Sequence, residues 1–276
     1  MPNLEPTLSV IKLSSPATRE FWEIPVVFED EHLLALDKPS GLLSSPDRFD
    51  PERPSLMELL HTAIAEQKGW VRKRSLSYLM NAHRLDSQTS GILLLAKSKP
   101  VLIALANDFG AEKPQMKYIA LAQGIPTKER FEVDAKLGPH PAQLGLVRVD
   151  PKRGKKARTV FTVLEKFKGW TLLQCEPATA RAHQIQVHSR HAGFPLVGDK
   201  LYGGKPLWLS RLKQDYRLKP NREERPLLDR VALHAAELSL PHPVTGQSVK
   251  ISAPWPKDLN VAVKYLRRYG ACPQPV

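Results

Sequence analysis

The sequence predicts an α+β fold with a mixed, largely antiparallel sheet and flanking helices. Short apolar or alternating runs, such as GILLLAKS and TVFTVLEKF, have the length and period of strands. Other segments, such as SLMELLHTAIAEQ, have apolar residues at helical spacing. The two kinds of segment follow one another without a regular strand–helix–strand alternation, and this order is typical of α+β proteins.

The first half of the chain predicts three strands and two helices. Residues 1–24 have little periodicity, so we expect a loosely packed N-terminal extension. VVFEDEHLLALDKPSGLL predicts two strands broken by a turn at residues 29–31, followed by a loop. Residues 55–67 predict a helix with Ser55 at its N-cap. A second helix, opened by Pro100, follows the strand GILLLAKS.

The second half predicts mainly strands. KYIALAQG predicts one strand, and GPHPAQLGLVRVDPKRGKKART predicts a long polar connection. TVFTVLEKF and WTLLQCEP alternate like paired strands joined at residues 168–169. Residues 203–230 predict an inserted loop or short helix, and LHAAELSLPHPVTGQSVKISAP predicts a closing hairpin. We therefore expect one domain over residues 25–276.

The composition favours a polyanionic partner. Lys and Arg total 41 of 276 residues against 28 Asp and Glu, which gives a formal charge of +13. Nucleic acid is the most frequent partner of so basic a globular protein, although a generally basic protein without such a partner would show the same surplus.

The cysteines and the N-terminus indicate a cytoplasmic protein. Cys175 and Cys272 are the only cysteines and have no metal-ligand spacing, so a disulfide framework or structural zinc site is not expected. The first residues do not resemble a signal peptide, and no window approaches 18 apolar residues.

The stretch NAHRLDSQTSG places polar residues in a loop directly before the apolar strand. A loop that holds Arg84 and Asp86 at the start of a buried strand is a typical position for a functional site. Taken alone, however, an Asp before Thr-Ser-Gly is more typical of a cap or an Asx-turn.

Several blocks together resemble the RluA family of RNA pseudouridine synthases. HRLDSQTSGILLLAKS is similar to the family's catalytic motif, His-Arg-Leu-Asp-x-x-Thr-Ser-Gly. FEDEHLLALDKPSGLL, MKYIALAQG, ATARAHQIQVHSRHAGFPLVGDKLYGG and ERPLLDRVALHAAELSLPHPVTG resemble further family blocks in the same order. The likeness covers roughly residues 26–257. It implies the pseudouridine-synthase fold with a central catalytic cleft, and an enzyme that isomerises uridines in structured ribosomal or transfer RNA.

The resemblance also implies a catalytic set. Asp86 matches the catalytic aspartate, and Arg181 matches the arginine placed against it. Tyr118 matches the active-site tyrosine, which could stack on the uracil and help to remove the C5 proton. From the residues alone, Arg181 would be interpreted as a charge on a sheet surface, and Tyr118 as a core tyrosine.

Further residues are assigned to substrate binding. Arg84 resembles the residue that fills the space left by the flipped base, although a phosphate contact or a salt bridge would suit it equally. For the apolar pair Ile185 and Leu201, plain core packing is an equal alternative to a place in the pocket wall. We assign to the substrate or RNA site Arg84, His83, Thr89, Ile185, Leu201, Lys152, Arg153, Lys155 and Lys156.

The chain departs from the family pattern at Gln186, where the family usually has an arginine. This change removes a charge that could contact RNA or brace the cleft. The roughly 25 residues before the first family block are also too few for the N-terminal S4 module of many relatives. Target selection is therefore expected to depend on the surface of the catalytic domain.

The sequence disfavours three other functions. A non-catalytic RNA-binding or assembly protein on the same fold would tolerate loss of Asp86, Tyr118 or Arg181, but all three are present. A zinc deaminase needs a His-x-Glu element and a Cys-x-x-Cys pair, which the sequence lacks. A hydrolytic glycosidase needs a second placed carboxylate. We expect a monomer that works without cofactor or metal and does not bind membranes.

Overall fold

A computed structural model describes residues 9–47, 50–218 and 221–272. The chain divides into two compact units. The first unit consists of the residues up to Gln115 and of Ala235–Pro254. The second consists of Met116–His234 and of the residues from Trp255 onward. The assignment of residues 25–276 to one catalytic domain stays a prediction.

The strands and helices alternate irregularly along the chain, as the sequence predicted. The strands are β1 (Val10–Ser15), β2 (Glu20–Glu29), β3 (Leu33–Lys38), β4 (Met80–Asn81), β5 (Ser90–Ala96), β6 (Gln115–Gln123), β7 (Arg130–Asp134), β8 (Leu137–Pro139), β9 (Val147–Val149), β10 (Arg158–Phe167), β11 (Trp170–Pro177), β12 (Leu233–Pro241) and β13 (Ser248–Ser252). The α-helices are α1 (Leu56–Ala65), α2 (Gly69–Lys73), α3 (Lys99–Gly110), α4 (Gln184–His191), α5 (Leu209–Leu212) and α6 (Lys257–Tyr269), with a 3-10 turn at Lys200–Tyr202.

The first unit is built on a sheet in the order β1-β2-β3-β5-β12, with β4 along β5 and β13 along β12. All seven residues of β5 are buried, as expected for a continuous apolar run. Gly91 in β5 has φ +111°, and a Cβ there would lie 2.3 Å from the carbonyl oxygen of Ala235. Only glycine fits this close approach of two backbones.

The predicted N-terminal extension was wrong for residues 10–24. These residues form β1 and the start of β2, which pair antiparallel from Val10 opposite Pro25 to Ser15 opposite Glu20. Ile11 and Ile24 are fully buried. The alternation in β1 is only six residues long, which is too short to be distinguished from irregular sequence. Residues 1–8 lie outside the described residues.

The second unit is built on a sheet in the order β6-β11-β10-β7, with β8 and β9 forming a separate pair. β10 and β11 are antiparallel, and Phe167 pairs with Trp170 across the predicted turn. The core here includes Phe161, Leu173 and Cys175. Burial raises the pKa of the Cys175 thiol. The predicted polar connection contains the short hairpin β8–β9, and the sequence interpretation did not identify α4 or α6.

None of the helices in the described part of the chain has both the length and the apolar character needed to cross a bilayer.

Candidate active site

Asp86 lies in the loop between β4 and β5. The N–H of Thr89 donates to the carbonyl oxygen of Asp86 at 3.0 Å, which closes a tight turn directly before β5. Asp86 is half-buried, Thr89 is buried and Arg84 is exposed. The sequence between 86 and 89 thus forms the turn that its residue types favour, and this turn joins Asp86 to a fully buried strand.

The loop that follows β3 binds the backbone on the far side of Asp86. Lys38 is 0% exposed, and its ammonium donates to the carbonyl oxygens of Pro39 at 2.9 Å, Leu42 at 2.7 Å and Ser87 at 3.3 Å. The N–H of Gly41 also donates to the Ser87 oxygen, at 2.8 Å. Burial of an ammonium is costly unless its protons are bonded, so these contacts let Lys38 occupy an interior position.

A second contact from the same region reaches the residue before Asp86. The Ser44 hydroxyl donates to the carbonyl oxygen of Leu85 at 2.7 Å and accepts from the N–H of Leu85 at 3.1 Å. Further along the loop, Ser40 Oγ donates to the carbonyl oxygen of Gln88 at 2.7 Å. The backbone is therefore held on both sides of Asp86 by residues more than 40 positions away in sequence.

His83 supports the same loop from the strand side. Its Nε2 accepts from the N–H of Leu94 at 3.1 Å, and its carbonyl oxygen accepts from Asn81 Nδ2 at 2.8 Å. Burial lowers the pKa of His83 to about 4, partly opposed by a hydrogen bond with the Arg84 backbone. His83 is therefore neutral at pH 7 and cannot attract phosphates as a cation; its assignment to the substrate site stays a prediction.

Arg181 lies in the second unit, in the segment that precedes α4. It is not on a sheet surface, which corrects the interpretation from residues alone. Its side chain is exposed, and Nε donates to the carbonyl oxygen of Lys156 at 3.2 Å. The structure thus brings Arg181 beside Lys156, one of the four basic residues assigned to the RNA site. The pairing of Arg181 with Asp86 stays a prediction.

The Gln184 carboxamide fixes the segment that carries Arg181. Its Oε1 accepts from Thr179 Oγ1 at 2.7 Å and from the N–H of Arg181 at 3.2 Å. Its Nε2 donates to the carbonyl oxygen of Arg158 at 2.9 Å and to Thr159 Oγ1 at 3.0 Å. Both donors and both acceptor positions are used, so this buried amide joins the segment to the start of β10.

His188 continues this network into the core of the second unit. Its Nε2 lies 3.0 Å from the carbonyl oxygen of Ala135 and must donate to it, so Nδ1 accepts from the Thr159 hydroxyl at 2.9 Å. Burial lowers the pKa of His188. Because a protonated Nδ1 could no longer accept from Thr159, the neutral ring is the form that the network requires.

Gln186 braces the interior of the second unit. It is buried, and its Nε2 donates to Asp199 Oδ2 at 3.1 Å. Burial raises the pKa of Asp199, while hydrogen bonds from Gln186 and the Tyr202 backbone act in the opposite direction. The family arginine at this position could contact RNA or brace the cleft. The geometry of Gln186 fits a bracing role, which a neutral amide performs in this chain.

The remaining nominated residues lie in different environments. Tyr118 on β6 is partly buried and packs against the core cluster that contains Ile185. Ile185 is thus a core residue, whereas Leu201 in the 3-10 turn is 60% exposed. The basic strip, Lys152, Arg153, Lys155 and Lys156, is exposed.

A tight turn presents the first residues of that strip. Asp150 Oδ1 accepts from the N–H groups of Lys152 and Arg153 at 3.1 and 2.9 Å. These backbone bonds, that of Arg153 first, lower the pKa of Asp150. At Gly154 a Cβ would lie 2.4 Å from the Asp150 carbonyl oxygen, so glycine is required to close the turn.

Sequence reasoning missed the residues that hold the site in place. Lys38, Ser44 and Gln184 were not nominated, although Lys38 and Gln184 lie inside blocks that resemble the family. Their contacts connect distant parts of the chain, so no local pattern indicated them. In the part of the chain that the structure describes, no cluster of three or more His, Cys, Asp and Glu side chains could hold a metal ion.

Comparison with known proteins identifies the class. The RNA pseudouridylate synthase family matches residues 32–191, a span that contains Asp86, Tyr118 and Arg181. Among solved structures, human RNA pseudouridylate synthase domain containing 4 superposes with a TM-score of 0.66 at 20% identity, and the match covers 90% of this chain and 94% of that one. This likeness confirms the predicted fold.

Curated relatives are closer in sequence. Ribosomal large subunit pseudouridine synthase D of Pasteurella multocida is 34% identical over 244 residues, which cover 88% of this chain and 70% of that protein. Synthase C of Vibrio vulnificus is 35% identical over 245 residues, covering 88% and 69%. The chain belongs to the RNA pseudouridylate synthase family, and it is an isomerase that converts uridine in RNA to pseudouridine.

Proposed function

We propose that the protein modifies ribosomal RNA of the large subunit and that Asp86 is its catalytic carboxylate. The names of the curated relatives, both ribosomal large subunit synthases, support ribosomal over transfer RNA. The observation that carries the role of Asp86 is the double attachment of its loop, through Ser44 on one side and Lys38 on the other. Catalysis requires the reacting group to be held in place, and a fixed backbone is the first condition for this.

A single carboxylate suits the chemistry. The reaction breaks the C1′–N1 bond, turns the uracil and rejoins it through C5. Glycoside hydrolysis usually needs a second carboxyl group to protonate a poor leaving group, but the uracil anion is delocalised over two carbonyls. Asp86 can then act as the nucleophile at C1′ or as the base at C2′.

Arg181 and Tyr118 complete the proposed catalytic set. A guanidinium holds a carboxylate through paired hydrogen bonds and keeps it ionised. Tyr118 would stack on the uracil and assist loss of the C5 proton. The anchoring of the Arg181 segment by Gln184 supports an orienting role, because an arginine that orients another group needs a fixed backbone.

RNA binding is assigned to Arg84 and to the exposed strip of residues 152–156. The base must leave its stack before it can react, and an exposed arginine two residues from Asp86 could fill the vacated space. Cations on one exposed turn would contact phosphates. Operation without cofactor or metal, a monomeric state and a cytoplasmic location complete the proposal.

The test is tritium release from C5-tritiated uridine in ribosomal and transfer RNA isolated from cells that lack the gene. Release from large-subunit ribosomal RNA alone is expected. Release from transfer RNA alone would contradict the proposed substrate and leave the isomerase class intact.

A further inference from the structure

The Ser44 hydroxyl is placed to control the backbone at Asp86. It bonds both the N–H and the carbonyl oxygen of Leu85, at 3.1 and 2.7 Å. Ser44 is 3% exposed and Leu85 is 5% exposed, so water is a poor substitute for either bond. A hydroxyl can donate and accept at once, which suits it to a site where one side chain must serve both groups of a residue.

These two bonds fix the backbone from which the Asp86 side chain projects. The carbonyl of Leu85 and the N–H of Asp86 share one planar peptide unit, so holding the carbonyl holds that plane. The next carbonyl after Asp86, that of Ser87, is held by Lys38 and Gly41. The backbone of Asp86 thus lies between two fixed points.

The position of Ser44 is itself set by the start of α1. The carbonyl oxygen of Ser44 accepts from the N–H of Met57 at 3.2 Å, and that of Leu43 accepts from the N–H of Leu56 at 2.8 Å. The first N–H groups of a helix need acceptors outside the helix. The segment 43–44 supplies them, and α1 in return holds the Ser44 hydroxyl against Leu85.

We propose that Ser44 is a positioning residue for Asp86 that determines turnover and not RNA affinity. This inference rests on the proposed role of Asp86. A hydroxyl that served only the stability of the unit would leave the turnover of the folded enzyme unchanged.

The test compares Ser44→Ala with Ser45→Ala in steady-state kinetics on RNA. Ser45 is a matched control, because it is the adjacent serine and its hydroxyl donates to a side chain, Asn81 Oδ1, at 3.4 Å and not to the backbone of Leu85. We expect Ser44→Ala to lower kcat roughly tenfold or more with little change in KM. Ser45→Ala should keep kcat and KM near those of the wild type.

Ser44→Cys is the second variant, for use if Ser44→Ala does not fold. It is slightly larger than serine and keeps only a weak donor and a weak acceptor, so an intermediate kcat is expected. Wild-type kcat in a folded Ser44 variant, with Asp86→Asn inactive, would overturn this inference alone. Full activity of Asp86→Asn would overturn the proposed function of Asp86. A loss confined to KM would also contradict a positioning role.

Discussion

The loop that carries Asp86 and the segment that carries Arg181 are fixed by different means. In the first unit, an ammonium and a hydroxyl from the 38–44 region hold main-chain groups on either side of Asp86. In the second unit, one carboxamide three residues further on holds the backbone of Arg181, and the side chain itself is exposed. The carboxylate is therefore expected to tolerate less change around it than the arginine does.

The largest effect is expected at Asp86. Asp86→Asn keeps the size of the side chain but removes the charge and the nucleophile, so turnover should fall by at least about a thousandfold. RNA affinity, measured by filter binding, should stay near that of the wild type. Turnover within tenfold of the wild type would show that Asp86 is not the catalytic residue, although its loop is the more firmly held of the two segments.

The neutral His83 makes the first unit sensitive to acid. The pKa of His83 is about 4 in the folded protein and about 6.5 when unfolded, so between these values the unfolded chain takes up a proton that the folded one does not. The contribution of the neutral His83 ring to the free energy of unfolding is therefore complete above pH 6.5. It is lost as the pH falls toward 4.

This loss should lower the free energy of unfolding by roughly 3 kcal/mol in total. His83→Gln keeps an acceptor for the Leu94 N–H but does not titrate, so urea denaturation should show a flatter pH dependence. Identical pH profiles for the two proteins would contradict this account. His188 contributes in the same direction from the second unit, since burial lowers its pKa too.

Arg181→Lys tests whether the second segment orients a partner. Lysine keeps the charge but cannot make paired hydrogen bonds, so turnover should fall roughly tenfold to a hundredfold. Arg190→Lys, at an exposed position of α4, serves as the control and should be fully active. Wild-type turnover of Arg181→Lys would exclude a role that depends on the guanidinium geometry.

Gln184→Glu should have a smaller effect on stability than the titration of His83. A carboxylate has no N–H groups, so the hydrogen bonds that Gln184 Nε2 donates to Arg158 and Thr159 are lost. We expect the free energy of unfolding to fall by about 2 kcal/mol. Gln143→Glu, on the exposed loop between β8 and β9, is the matched control in urea denaturation. Equal stability of the two variants would mean that the amide is not what fixes the Arg181 segment.

Most of the fold could be predicted because its signals are local. β5 is a continuous apolar run, and the predicted N-cap of α1 is confirmed by Ser55, whose side chain accepts from the Glu58 N–H. The helix α6 was missed although its buried residues, Leu259, Ala262, Val263 and Leu266, recur at helical spacing. The sequence of α6 therefore carries a local signal of the same kind as that of α1.

The supporting residues of the site could not be predicted in the same way. Asp86 and Arg181 were nominated through blocks that resemble the family, but Ser44 lies 41 positions from Leu85 and Lys38 lies 49 positions from Ser87. Neither contact has a period or a spacing that sequence reasoning can recognise. The αL backbone of His183, with φ 52°, at the start of α4 is similarly set by its surroundings and not by its residue type.

The close approach of Gly91 to Ala235 has a consequence for how the chain folds as it is synthesised. The sheet of the first unit is completed by β12, whose residues leave the ribosome after the entire stretch from Met116 to His234. Until then much of one edge of β5 has backbone N–H and C=O groups without a partner strand, and forming the final pairing requires closure of a loop of more than 140 residues. We therefore expect slow, late folding of the first unit and a period during synthesis in which it depends on protection from aggregation.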